Sequence, residues 1–166
     1  MINLTNITLE TAQMIRKWAG DKYYEEFFRR HPPVFAWGDD QNIVTAFSTS
    51  YFIRDDDQIV GLMSLANYDT QHKMVEMGLL IDKEYKKDNL KAYTSACVQA
   101  ADYVFNYLGY NKMYTKVLTH RGKLRSNMDK AGFTRNGTLP QNVFWKGEFH
   151  DEDVYSILAR DFKENY

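Results

Sequence analysis

Apolar residues along the chain follow two periods, one near 3.6 and one of 2, and the changes between them divide the sequence into elements. Leu9, Ala12, Ile15 and Trp18 recur at helical spacing behind Thr8, a good helix N-cap, and Gly20 follows as a stop. A short strand through Ile2, Leu4 and Ile7 precedes them. The run DKYYEEFFRRHPP predicts a second short helix, begun at Asp21 and ended by Pro32 and Pro33, because proline excludes helix at and just before its own position. Gln41 to Phe47 reads as a helical turn. From Ser50 the pattern becomes that of strands: YFIR, a polar turn at Asp55-Asp56-Asp57, and QIVGLMSLANYD predict a hairpin. A third strand spans Met74 to Ile81, with Met74, Glu76, Gly78 and Leu80 opposite Val75, Met77, Leu79 and Ile81, one face for the core and the other for a site.

The next helix is the clearest element: Leu90, Tyr93, Cys97, Ala101, Val104 and Leu108 form one stripe, closed by Gly109. Cys97 on that stripe reads as a buried packing residue rather than a nucleophile. A strand, KMYTKVLT, and a polar helix, LRSNMDKAG, stopped at Gly132, follow. The chain then reads as two strands around a loop and a short charged tail. The order β-α-α-β-β-β-α-β-α-β-β is that of an α/β (α+β) chain, a mixed sheet flanked by helices in a single domain over 1–166.

Composition narrows the function classes. A length of 166 residues suits one domain, and a net charge of -1 supplies no global field for nucleic acid or a membrane surface. With one cysteine there is no internal disulfide, and no signal peptide or apolar span of about 20 residues is legible, which fits a soluble, cytoplasmic protein. No spacing suggests a bound metal, and the three aspartates of the hairpin turn lack the glycine and distal glutamate of an EF-hand. Aromatic residues are in excess, at 15%, as in a large core or a sticky interface.

Two phrases carry a resemblance. VEMGLLIDKEYKKDNLKAYTSACVQAADYVFNYLGYNKMY is similar to the strand, cofactor turn, long helix and following strand of the GNAT superfamily of acyl-CoA N-acyltransferases, RimJ/RimL-type branch. NMDKAGFTRNGTLPQNVFWKGEFHDEDVYSIL resembles the ending of the same proteins. Together they cover about Val75 to Leu158. The resemblance implies a mostly antiparallel sheet, an acceptor side over about 1–70, a cofactor side over about 71–166, and acetyl-CoA as the acyl donor.

It also places residues. A helix N-terminus can bind a pyrophosphate, through its free N–H groups and the positive end of its dipole, if the backbone comes close. The family's glycine-rich turn corresponds to Lys86-Lys87-Asp88-Asn89-Leu90-Lys91, a degenerate form in which Asn89 replaces the first glycine and Lys91 the final small residue. Asn89 tolerates a left-handed backbone at roughly 1 kcal/mol and so preserves the turn, and Lys86 and Lys87 add cationic charge. The other reading is that Asp88 or Asn89 caps a structural helix with the lysines solvated. The residues that help hold the pantetheine arm in the family correspond to Arg121 and Leu124, and a tyrosine acid of some members corresponds to Met128.

Acyl transfer to an amine needs a base, polarisation of the thioester carbonyl and protonation of the leaving thiolate. The resemblance implies that the strand end at Leu79, Leu80 and Ile81 offers a backbone N–H to the carbonyl, and Glu76 matches its "E-x-G" glutamate as base; the alternative is an ion pair of Glu76 with a cation such as Lys116. Tyr114, Tyr110 and His120 are the possible acids, with Tyr114 the one assigned. The loop YYEEFFRRHPPVFAW presents Tyr23, Tyr24, Phe27, Phe28, Arg29, Arg30 and Trp37 as acceptor-side or interface residues, or as a helix packed by Tyr24, Phe27 and Phe28 with solvated arginines. Two functions follow: an N-acetyltransferase that modifies a protein N-terminus, a lysine or a small amine, or a degenerate GNAT-fold protein serving as a binding, assembly or structural component, as in a phage, through a protein partner at the aromatic and arginine-rich region.

Overall fold

The change of periodicity at Ser50 is realised as a long hairpin, β2 (Ser50–Asp55) and β3 (Gln58–Asp69), turned at Asp56, whose φ of 53° is left-handed. The computed structural model of the protein describes residues 1–28 and 38–165. Before the hairpin come β1 (Ile2–Asn6), α1 (Leu9–Ala19), a 3-10 turn (Lys22–Tyr24), α2 (Glu25–Phe28) and α3 (Asp40–Ala46). After it come β4 (Met74–Ile81), α4 (Asn89–Asp102) with a π-helical turn (Tyr103–Tyr107), β5 (Lys112–Leu118), α5 (Gly122–Lys130), β6 (Thr134–Trp145), β7 (Glu148–Leu158) and α6 (Ala159–Asn165). The strands form one mixed, mostly antiparallel sheet in the order β1-β2-β3-β4-β5-β7-β6, in which β4 and β5 run parallel. The tail expected after the last strand is helix α6, anchored by Phe162 against Phe105 at 5.6 Å between ring centroids.

By packing, the chain divides into two compact units, the first made of Met1–Leu65 and Gly78–Ala92, the second of Ala66–Met77 and the chain from Tyr93 on. In the first, Ala12, Ile15 and Trp18 of α1 pack with Tyr24, Phe28, Ile43, Phe47, Phe52, Leu62 and Leu80 into one buried cluster. Leu9 is not part of it: at the first turn of α1 the side chain clears the sheet and is 53% exposed. Thr8 stands at the N-cap position as expected, and its own N–H is taken up by Thr11 Oγ1 at 2.9 Å. Gly20 ends the helix with φ at -80°, a conformation open to any residue, so its glycine character is not what stops it. At Gly61 on β3 a side chain has no room, since a Cβ would run into the Leu80 carbonyl oxygen of β4.

In the second unit, Ala96, Cys97, Ala100, Ala101 and Val104 line the buried face of α4 and its π turn, while Leu108 is only half-buried. Cys97 is 1% exposed and burial pushes its thiol pKa up, the condition of an inert packing thiol. Val75, Glu76 and Met77 are buried in succession, so β4 is covered on both faces there, and the expected split into a core face and an open face does not hold along it.

Candidate active site

Pairing registers set the polar groups of the second unit in a line. Glu76 lies opposite Tyr114 in the parallel β4–β5 ladder, Tyr114 opposite Ser156 of β7, and Ser156 opposite Thr134 of β6. Directly paired residues share a face. The row therefore runs carboxylate, phenol, hydroxyl, hydroxyl across four strands. Glu76 is 4% exposed, and its Oε2 accepts a hydrogen bond from Asn67 Nδ2 at 2.7 Å and has Lys116 Nζ at 4.0 Å. The Lys116 pairing foreseen for Glu76 is thus present, at the outer limit of ion-pair distance, while the short bond comes from Asn67. Asn67 holds a left-handed backbone, φ 50°, at the far end of β3, which suits asparagine and aims its amide at the carboxylate. Tyr110 is buried and lies edge-on to Tyr68, with their centroids 6.1 Å apart.

In the first unit β4 ends at Leu79, Leu80 and Ile81, with Leu80 buried and its neighbours half-buried. Asp82, the next residue, ties the following turn down. It accepts from Trp18 Nε1 at 3.3 Å and from the Tyr24 hydroxyl at 2.8 Å, and that hydroxyl in turn accepts from the Lys83 N–H at 2.8 Å. Tyr24 is therefore a core residue that anchors the turn, in keeping with the reading of a helix packed by Tyr24, Phe27 and Phe28, and burial raises its hydroxyl pKa. Phe28 is likewise buried, and Phe27 covers Gly78, where a Cβ would meet its ring at 3.2 Å and Ser64 Oγ at 2.9 Å. Tyr23 alone of the described group is well exposed, stacked edge-on against Tyr24. Arg29, Arg30 and Trp37 lie outside the described residues.

The lysines of the turn are engaged. Lys86 Nζ donates to the Lys83 carbonyl at 2.6 Å, and Lys87 Nζ reaches Asp55 Oδ2 at 3.2 Å, where the Tyr85 hydroxyl also donates at 3.1 Å. The Lys87 ammonium holds the Asp55 carboxyl below the usual carboxylate range. Asp88 caps α4, its Oδ1 accepting from the Lys91 N–H at 2.9 Å. Asn89 does not take the left-handed role expected of it. Among the described residues the non-glycine positions with positive φ are Asp56, Asn67, Lys73, Gln141 and Lys146, and Asn89 is instead the first residue of α4. The reason is the cap itself: once Asp88 terminates the turn, the chain enters the helix without a reversal. The Asn89 Oδ1 is buried with no hydrogen-bond partner.

Arg121 and His120 stand at the start of α5. The Arg121 guanidinium lies over the Trp145 ring, 5.8 Å from its centroid, and His120 stacks on the same indole at 5.6 Å and an interplanar angle of 5°. His150 completes the group, 5.3 Å from His120. At the position of the family's tyrosine acid, Met128 is buried and its sulfur accepts from the Tyr93 hydroxyl at 3.6 Å. Asn67 and Asp82 were not singled out from the sequence. Their signals were weak: an asparagine breaking an apolar strand and an aspartate directly after one.

A sheet of this order, with a parallel β4–β5 pair and a long helix between them, is the GNAT N-acetyltransferase fold. The crystal structure of spermidine N-acetyltransferase from Vibrio cholerae in complex with CoA and spermine superposes with a TM-score of 0.82 at 17% identity, covering 98% of each chain. The crystal structure of a protein named a probable acetyltransferase gives 0.81 at 20% identity, over 96% of this chain and 93% of that one. By sequence, the chain is 28% identical over 108 residues to YdaF of Bacillus subtilis (strain 168), provisionally named a ribosomal N-acetyltransferase, a match that spans 65% of this chain and 58% of YdaF. It is 26% identical over 151 residues to spermidine N(1)-acetyltransferase of Escherichia coli (strain K12), spanning 91% of this chain and 77% of that protein. No protein-family model matches the chain.

Proposed function

We propose that this protein is an N-acetyltransferase of the RimJ/RimL type that moves an acetyl group from acetyl-CoA to a primary amine. The observation that carries the reading is Glu76, a buried carboxylate fixed by Asn67 and set beside Tyr114 on a GNAT-type sheet. Support for the donor comes from the turn 82–91. It sets Lys86, Lys87 and Lys91 about the start of the 14-residue helix α4, a cationic setting that suits a pyrophosphate. Asp82 and Glu84 earlier in the turn, Asp55 beside Lys87, and Asp88 at the helix start are contrary charges, and Asp88 makes the turn a modified version of the family's motif. When bound, acetyl-CoA supplies an activated acetyl thioester.

The chain's own residues supply the proton transfers. Glu76 takes the proton that the amine nitrogen loses as it bonds to the acetyl carbon and the carbon–sulfur bond breaks. The Asn67 amide keeps the carboxylate turned to one orientation for that task. Tyr114, its neighbour in the row, gives a proton to the departing thiolate. The names of the relatives lend no support to the non-catalytic alternative with a protein partner.

The test is release of CoA thiol from acetyl-CoA in the presence of an amine panel: spermidine, amino acids, amino-sugar phosphates and peptides with free N-termini. Turnover with at least one amine is expected, and Glu76→Gln is expected to lower kcat by about 10²–10⁴. An undiminished kcat in Glu76→Gln overturns the assignment of the base. Absence of both turnover and acetyl-CoA binding by calorimetry overturns the function.

A further inference from the structure

A pyrophosphate held by backbone N–H groups needs those groups in place before it arrives, because a loose turn must give up conformational freedom on binding and affinity falls by that cost. The turn 82–91 contains no glycine to bring the backbone close, and its shape is fixed from outside. Asp82 enters it from β4, its N–H donating to the Val60 carbonyl of β3 at 2.8 Å. The Asp82 carboxylate then collects three donors: Oδ2 accepts from Trp18 Nε1 at 3.3 Å, and Oδ1 accepts from the Tyr24 hydroxyl at 2.8 Å and from the Glu84 N–H at 3.0 Å. The Tyr24 hydroxyl in turn accepts from the Lys83 N–H at 2.8 Å, and the Asp82 carbonyl from the Tyr85 N–H at 3.0 Å. Three successive backbone N–H groups, of Lys83, Glu84 and Tyr85, are thereby fastened to Tyr24 or Asp82. Lys83 Nζ also reaches Asp21, the residue that starts the 3-10 turn carrying Tyr24.

The far side of this clamp is rigid. Trp18 and Tyr24 are buried in the first unit's core, with their ring centroids 6.0 Å apart. A ring needed for packing alone would be served as well by phenylalanine, since a buried hydroxyl costs desolvation unless it is bonded, and here its two bonds both go to the turn. We propose that Tyr24 and Asp82 are positioning residues of the donor turn, through which the helical segment ahead of the first hairpin sets the affinity for acetyl-CoA without touching the reacting atoms. Tyr24, which the sequence offers as an acceptor-side or packing residue, thus acts on the donor. The inference rests on the acetyl-transfer reading and concerns the binding of its donor.

The experiment compares the full chain in wild type, Tyr24→Phe and Asp82→Asn by calorimetric titration with acetyl-CoA, by steady-state kinetics with an amine that the panel shows to be turned over, and by amide hydrogen exchange at residues 83–85 without ligand. Tyr24→Phe keeps the ring and its packing, so the variant is expected to fold, as thermal melting checks. Its Kd and KM for acetyl-CoA are expected to rise on the order of tenfold, with kcat at saturating donor and KM for the amine within a few-fold of wild type. Exchange at Lys83 is expected to quicken in the same variant. Asp82→Asn keeps the shape of the side chain and one oxygen acceptor, and is expected to show the same split between donor KM and kcat. An unchanged Kd for acetyl-CoA in Tyr24→Phe, or unchanged exchange at Lys83, overturns the proposal and leaves acetyl transfer intact. Failure of the acetyl-transfer reading looks different: the wild type itself neither turns over an amine nor binds acetyl-CoA, and the positioning role falls with it.

Discussion

At the scale of single residues, the candidate chemistry depends on a side chain that periodicity passes over. Asn67 sits in a left-handed backbone and spends its amide on Glu76 at 2.7 Å, so conformation and contact are bound together in one residue. The two can be separated. Asn67→Gly keeps the backbone free to turn and removes the amide, whereas Asn67→Ala removes the amide and keeps a β-carbon in a region that costs roughly 1–2 kcal/mol. Thermal melting is expected to show Asn67→Ala less stable than Asn67→Gly, and both variants are expected to lose about tenfold in kcat, because a charge-assisted bond to the base is missing in each. A kcat unchanged in Asn67→Gly would show that the amide does not orient the base. Glu76 was singled out beforehand because it matches the "E-x-G" glutamate of the family resemblance within an apolar strand. Its partner was not, since nine residues separate the two and only the folded hairpin end brings them together.

Among the elements, α4 and the turn before it show how one residue serves opposed demands. Asp88 satisfies the Lys91 N–H and so defines the helix start, yet it puts a carboxylate at the end of the helix that favours anions. An asparagine in its place would cap about as well without the charge. For Asp88→Asn the expected result is a KM for acetyl-CoA lowered by a few-fold with Tm nearly unchanged, whereas Asp88→Ala loses about 1 kcal/mol of stability by denaturant titration. The strand and helix boundaries around this turn were readable to within a residue or two, because β4 and α4 have strong and different periods. The conformation of Asn89 was not readable: whether a polar pair before a helix makes a left-handed turn or a plain cap depends on which side chain reaches the first free N–H.

For the molecule as a whole, the second unit is tied together by Asp153, which is fully buried between Arg125 Nε at 2.9 Å and Arg135 Nη2 at 2.8 Å and also accepts from Thr138. These contacts join α5, β6 and β7, and the Arg135 guanidinium holds the Asp153 carboxyl below its ordinary value of 3.8. A depressed pKa stabilises the fold above the unfolded value, and that stability is lost as pH falls through the folded one. Asp153→Asn is therefore expected to cost about 2–3 kcal/mol in urea titrations at pH 7, with the difference from wild type shrinking as pH falls below 3.8. An equal difference at pH 7 and pH 3 would mean that packing, not charge, sets the cost.

Sequence alone determined most of the elements, the hairpin, the buried state of Cys97 and the order that makes a mixed sheet, because each is a matter of local period, while Glu76 was proposed from the resemblance. Tertiary structure decided what those residues touch. It favoured the packed-helix reading of Tyr24 and Phe28, bound Tyr24 to Asp82, paired Lys87 with Asp55, laid Arg121 over Trp145 and set Tyr114 and Lys116 beside Glu76. The physical reason is that period fixes the face on which a side chain stands, whereas partners are fixed by the register between strands and by contacts tens of residues apart, which no local pattern encodes.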